Sequence, residues 1–372
     1  MTRKLPLFAG SLAVMLTMLG LSNPFSSHVT AQQPAQGLAP KFVVDPFWPK
    51  PLPNRWILGQ VAGVAVDAQD HVWIVQRPKS LSEDEKGATL SPPRNECCVP
   101  APPVMEFDPE GNLVQAWGGP GAGYDWPENE HGIFVDAQSN VWLAGNAEKD
   151  AQILKFTRDG RFQMQIGKPG MSKGDADTAE PEPARRRPAR SGDQRALRGR
   201  RLRQSPRHRL RRGHRRLQAS LGRQRTSPGE AGVKQFQNPV HCVRIARDGL
   251  VYVCDRRNNR IQVFKKDGTF VKEFALAPDT RGAGSVWDLD FSTDGDRPTS
   301  TPRTGRTTTS GFSCATTGRV LSHFARSGRY AGQLHWVHNM AVDSKGNIYT
   351  AEVDNAKRVQ KFAFQGLFPV GN

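Results

Sequence analysis

Past residue 21 the chain has no apolar run long enough to cross a bilayer, so no later segment reads as a membrane span. Its five cysteines (Cys97, Cys98, Cys242, Cys254 and Cys314) have no spacing that makes a metal knuckle. Residues 183–226 contain no Val, Ile, Phe, Tyr, Trp or Met, so nothing there can bury against a neighbour. The same stretch has 17 Arg, one acid (Asp193) and no Lys. It holds +16 of the formal +17, and the other 328 residues carry +1. Taken whole, +17 suggests a nucleic-acid or acidic-surface partner. Taken by segment, the basicity is one tract and not a property of the fold. The missing lysines and aromatics, together with the export reading below, count against nucleic acid as a partner.

What is present fits a packed, turn-rich globule: 37% apolar residues, 8% aromatics and 36 glycines in 372 residues. Arg3 and Lys4 precede an apolar run, Leu5–Leu21, and a polar stretch ends in Val29-Thr30-Ala31. That order is the charged, apolar and small-residue pattern of a secretory signal. Residues 1–31 are therefore expected to be removed and the mature chain exported, to periplasm or outside. The alternative is an uncleaved membrane anchor. Export permits disulfides. Cys97-Cys98, in a Pro-rich loop, could bridge as vicinal residues, and Cys242 and Cys254 flank one hairpin and could pair. Isolated thiols remain the alternative.

One unit recurs: an apolar strand, a turn of Asp-x-x-Gly-Asn type, a second apolar strand, then a polar turn and further strands. Inner strands of this unit begin at Ala62, His131, His241, Trp287 and His338. Alternation in each arm predicts strands, and the Asp/Asn-Gly turns predict hairpins. Arg260–Phe264 and Arg358–Phe362 read as third strands, and Phe270–Phe274 as a fourth. Repeated four-stranded units predict a β-propeller. The starts fall 69, 110, 46 and 51 residues apart. The gap of 110 is a double step, which makes six blades and puts the third in the Arg tract. Residues 32–54 read as an N-terminal extended segment and 55–372 as the propeller. Lys41–Phe47 is a candidate for closing the ring against the last blade.

Two tracts break the repeat, 183–226 and 297–316. Read one base out of register, Gly199–Ser205 permits A-D-G-Y-G-N, and Thr301–Thr308 permits Y-T-A-D-G-T-N-N. Both are strand-and-turn sequences of the repeat. The expectation is that both are frameshift products; a genuine arginine-rich insertion is the alternative. On that reading most of blade three, and the second and third strands of blade five, are lost, and the product is destabilised or aggregation-prone.

His131, His241 and His338 share one register, the start of the innermost strand in three blades. Those positions line one end of a propeller's channel, so the three converge. Three neutral imidazoles with a fourth place open is the arrangement of catalytic zinc. The alternative is polar channel residues that hold water.

These repeats resemble NHL repeats, and their details resemble the peptidyl-α-hydroxyglycine α-amidating lyases, six-bladed zinc propellers. The resemblance rests on Glu130-His131-Gly132 with Asp136, and on Pro239-Val240-His241 followed by Val253–Gln262. It rests also on Trp336-Val337-His338-Asn339. It implies zinc on His131, His241 and His338, and calcium as a structural ion. It implies catalytic Arg77 and Arg256, which suit recognition of a carboxylate and lowering of a phenol's pKa. The implied reaction splits the N–Cα bond of a C-terminal hydroxyglycine, giving a peptide amide and glyoxylate. The chain departs from the family at two places. No Tyr is written at the Asp-Gly-Tyr element, and Asn339 stands where the family has Asp. The expected partner is a small-molecule or peptidyl substrate in the channel of a monomer. The alternative is a non-catalytic propeller that binds a protein through its loops.

Overall fold

The computed structural model describes residues 38–171, 236–237, 239–292, 299–301, 310–314 and 320–369. The signal segment and the 183–226 tract lie outside the described residues, and so does the third blade expected there. Among the described residues no helix is long and apolar enough to cross a membrane.

The chain is all-β, a propeller of small antiparallel sheets. The first sheet joins Gln60–Val66, Val72–Arg77, Val104–Phe107 and Leu113–Trp117. The second joins Glu130–Val135, Val141–Gly145, Ile153–Phe156 and Phe162–Ile166. The third joins Val240–Ile245, Val251–Asp255, Arg260–Phe264 and Phe270–Ala275. The fourth has three strands: Thr299–Thr301, Ser310–Cys314 and Val320–Phe324. The fifth joins Val337–Val342, Ile348–Glu352 and Arg358–Pro369, and its outer strand is Leu38–Asp45 from the far end of the chain. The closing strand foreseen at Lys41–Phe47 is thus real, displaced by a few residues.

Burial along the strands shows how the sheets stack. Val251–Asp255 and Arg260–Phe264, the two middle strands of the third sheet, are buried at every residue. The outer strand Phe270–Ala275 alternates half-buried and exposed. Apolar clusters fill the junctions between the fifth and first sheets, first and second, and fourth and fifth. Another joins the third sheet to Val286, Leu289 and Val320. No such cluster joins the second sheet to the third among the described residues. Phe134 there is 60% exposed, and Val240, Val243 and Ile245 are exposed as well.

The recurring turn has a local cause. Asp67 takes the amides of Gln69 and His71 and, through Oδ2, the indole N–H of Trp73 at 3.0 Å. Asp136 does the same for Gln138, Asn140 and Trp142, and Asp343 for Lys345, Asn347 and the Tyr349 hydroxyl. One carboxylate therefore satisfies the turn and staples it to the next strand. The fourth turn residue needs a left-handed backbone, which Gly249 and Gly346 supply without strain.

Two expectations change. The repeat predicts a strand at Trp287–Phe291, but this segment forms no ladder among the described residues, although Trp287, Asp288 and Leu289 are buried. Conversely, the 297–316 tract holds two strands where loss of strands was expected. Ladder pairing is a backbone property, and Thr, Ser and Phe sit readily in strands whatever frame encoded them. Of the two alternatives for these cysteines, both possible disulfides are formed. Cys242 and Cys254 face each other across one strand pair, with Cα atoms 4.9 Å apart, and Cys97 is bonded to Cys98.

Candidate metal centre

Ring centroids of His131, His241 and His338 lie 5.1, 4.6 and 4.8 Å from one another. One ligating nitrogen from each falls within 4.8 Å of the other two. The register that the sequence suggested therefore does converge. Two of the rings are held from behind. His338 Nδ1 donates to the Ala62 carbonyl at 2.7 Å, and His241 Nδ1 donates to the Trp287 carbonyl. Ala62 and Trp287 occupy the same register as the histidines, one blade further on. A donor at Nδ1 leaves the Nε2 lone pair for a metal and fixes the ring's direction. His241 Nε2 is buried and has no hydrogen-bond partner.

All three imidazoles are held neutral. Burial, reinforced by the Arg77 and Arg256 guanidiniums, lowers His131 to about 4. Burial, with His131 and then Arg256 nearby, lowers His241 to about 3. Burial puts His338 well below the ordinary range too. Three neutral nitrogens, one of them buried and unpartnered, fit zinc.

Arg77 ends the second strand of the first sheet, and Arg256 follows the second strand of the third. Register makes them equivalent, since Gln76 pairs with Val61 and Asp255 with Val240. Arg77 donates to the Glu130 carbonyl at 2.6 Å, beside His131, and to Gln60 Oε1 at 3.0 Å. Arg256 lies 4.0 Å over the Trp287 ring, and its Nε is buried without a partner. Desolvation lowers Arg77 against the opposing Glu130 carboxylate, and desolvation with Arg257 nearby lowers Arg256 to about 10. Trp287 itself escaped the sequence reading. It packs on His241 and His338 at 5.1 and 5.7 Å, and its signal was its shared register.

Two polar clusters were also missed. Asp67, His71 and Glu106 bring ligand atoms together, but Arg158 already sits among them, paired with Glu106. His71 Nδ1 meets the same carboxylate at 2.6 Å. The cation that would bind there is a side chain. The second cluster is Asp288, Asp290 and Arg244 in the channel. Burial outweighs Arg244 and lifts Asp288 to about 6, and it lifts Asp290 as well. Arg244 Nη2 reaches Asp288 at 3.0 Å, and Nε reaches the Leu289 carbonyl at 2.9 Å. Arg244 thus occupies Asp288 Oδ2, while Asp288 Oδ1 is buried without a hydrogen-bond partner.

An NHL-repeat family model matches residues 239–264, the strand-turn-strand core of the third sheet. No curated protein matches the chain. Among solved structures, a catalytically inactive virginiamycin B lyase from Staphylococcus aureus, crystallised with quinupristin, is similar. It shares 13% identity over 88% of this chain and 89% of that one, with a TM-score of 0.39. A structural-genomics protein of unknown function from Bacteroides thetaiotaomicron shares 11% identity over 83% of this chain and 70% of that one, with a TM-score of 0.45. The chain is an all-β propeller that carries an NHL repeat.

Proposed function

We propose that this chain is an exported, zinc-dependent propeller of the amidating-lyase type. Its substrate is a small or peptidyl carboxylate such as peptidyl-α-hydroxyglycine, and cleavage of the N–Cα bond releases glyoxylate. The observation that carries the proposal is the meeting of three neutral imidazoles with two desolvated guanidiniums beside them. His131, His241 and His338 would hold the metal. Zinc bound there supplies Lewis-acid polarisation of a substrate oxygen, or a hydroxide near neutral pH. Arg77 and Arg256 hold the carboxylate and set which carbon faces the metal. The near-equal histidine separations support six blades with a histidine on every second one. On that count blade three falls in the 183–226 tract.

A phenol-bearing residue for proton transfer is the weak part of the site. The four tyrosines serve elsewhere: Tyr124 donates to Gly119, Tyr349 to Asp343, Tyr252 packs on Phe291, and Tyr330 is 80% exposed. Turnover is therefore impaired in the chain as written. The same observation favours a second reading, a non-catalytic propeller that binds a ligand or a protein. Metal analysis and a glyoxylate assay on a peptidyl-α-hydroxyglycine separate the two. About one zinc per chain, lost in His241→Ala, with slow glyoxylate release, supports the lyase. Zinc without glyoxylate supports the binding module. An intact fold that takes up no zinc sinks the metal centre.

A further inference from the structure

We propose that Asp288 and Arg244 are positioning residues that set the affinity and geometry of the histidine centre; the inference rests on the metal reading above. Two of the three rings depend on the inner segment Trp287–Phe291 and on the strand Val337–Val342. The first supplies the carbonyl that orients His241, and the second carries His338. Among the described residues the Trp287–Phe291 segment has no ladder bonds. Its place is held by side chains instead.

Asp288 is the centre of that lashing. It is fully buried. Its Oδ2 accepts from Arg244 Nη2 at 3.0 Å, from the Met340 amide at 3.0 Å and from Asn339 Nδ2 at 2.5 Å. Asn339 and Met340 directly follow His338. Asn339 Oδ1 in turn accepts from the Val64 amide at 2.7 Å, two residues beyond the carbonyl that orients His338. Arg244 lies on His241's own strand, three residues on, and ties the Leu289 and Met340 carbonyls at 2.9 and 3.4 Å. One carboxylate and one guanidinium therefore connect the third sheet, the Trp287 segment and the fifth sheet just below the centre. Loss of either leaves the Trp287 segment tied to the His338 strand through the Asp290 bond to the Val342 amide, farther from the rings, so the Trp287 carbonyl and His338 are held less closely and the nitrogens converge less well. Outer-shell partners of this kind change metal affinity by about ten- to a hundredfold.

The test uses Co²⁺ as a visible probe and Zn²⁺ competition against a chromophoric chelator, on the full mature chain. Asp288→Ala and Arg244→Ala are compared with Asp288→Asn, which keeps an acceptor for the Met340 amide, and with Arg244→Lys. Tyr349→Phe serves as the control, because it removes a buried hydrogen bond to Asp343, which follows the opposite end of the inner strand from His338. The expected result is a roughly tenfold or greater loss of affinity and an altered Co²⁺ spectrum in the alanine variants, with partial recovery in the conservative ones. Tyr349→Phe should lower the melting temperature and leave the spectrum alone. If an alanine variant does not fold, Asp288→Asn and Arg244→Lys decide. Folded variants with wild-type spectrum and affinity would overturn the positioning role alone. A wild-type chain that binds neither ion overturns the metal reading, and this role with it.

Discussion

Metal affinity at this centre should be nearly independent of pH between 7.5 and 5.5. An ordinary imidazole titrates near 6.5, so it is about 90% neutral at pH 7.5 and about 10% neutral at pH 5.5. Three such ligands lose about a thousandfold in metal affinity over that interval, because each must shed a proton to bind. Here burial and two guanidiniums hold His131 at about 4 and His241 at about 3, with His338 well below its usual range. At pH 5.5 a group titrating at about 4 is still about 97% neutral, so the loss should be under about twofold. Calorimetric Zn²⁺ titration of the metal-free chain, in paired buffers of different ionisation heat, reads both affinity and proton release. A fall of more than about a hundredfold, or release of two or more protons at pH 5.5, would refute the desolvated centre. The same shifts carry a stability cost of defined sign. Because the folded pKa lies below the unfolded one, metal-free stability is highest above about 6.5 and is lost as pH falls through the folded values. For His131 alone the loss is on the order of 3 kcal/mol.

Arg256→Ala should weaken binding of glyoxylate or another small carboxylate by about tenfold or more while leaving zinc content unchanged, measured by ligand titration of the zinc-loaded chain; an unchanged affinity would remove Arg256 from the site. Replacing both Cys242 and Cys254 by Ala should cost about 3 kcal/mol in denaturant unfolding, because the bridge closes a loop of sequence separation 12. A variant as stable as the parent would show that the bridge is absent in solution. The exposed apolar faces of the second and third sheets should drive self-association, against the expectation of a monomer. Phe134→Ser with Val243→Thr should shift the sedimentation profile toward monomer and reduce binding of a hydrophobic dye. No change in either would mean that those faces are covered.

Much of the fold was legible because its signals are local. The Asp67, Asp136 and Asp343 turns each bind residues two, four and six positions on, so a short window contains the whole interaction. The closing strand was legible in kind, but its limits were not, because Leu38–Asp45 is defined by a partner at Arg358–Pro369. Trp287–Phe291 carries the alternation of a strand and yet forms no ladder among the described residues. Alternation reports burial, whereas pairing needs an adjacent strand.

The five site residues fall on two register positions of one repeated unit, and that much the sequence determined by itself. Period-two patterning and Asp-Gly turns place residues within a blade, and a repeat makes positions in different blades equivalent. Tertiary structure decided the rest. Ring closure brings His131, His241 and His338 together, and the carbonyls of Ala62 and Trp287 point their rings. It also seats Arg158 in one acidic cluster and Arg244 in another, which separates a metal centre from two ion pairs built of similar residues. Those outcomes depend on contacts between residues far apart in the chain, whose distances and desolvation exist only once the sheets have stacked.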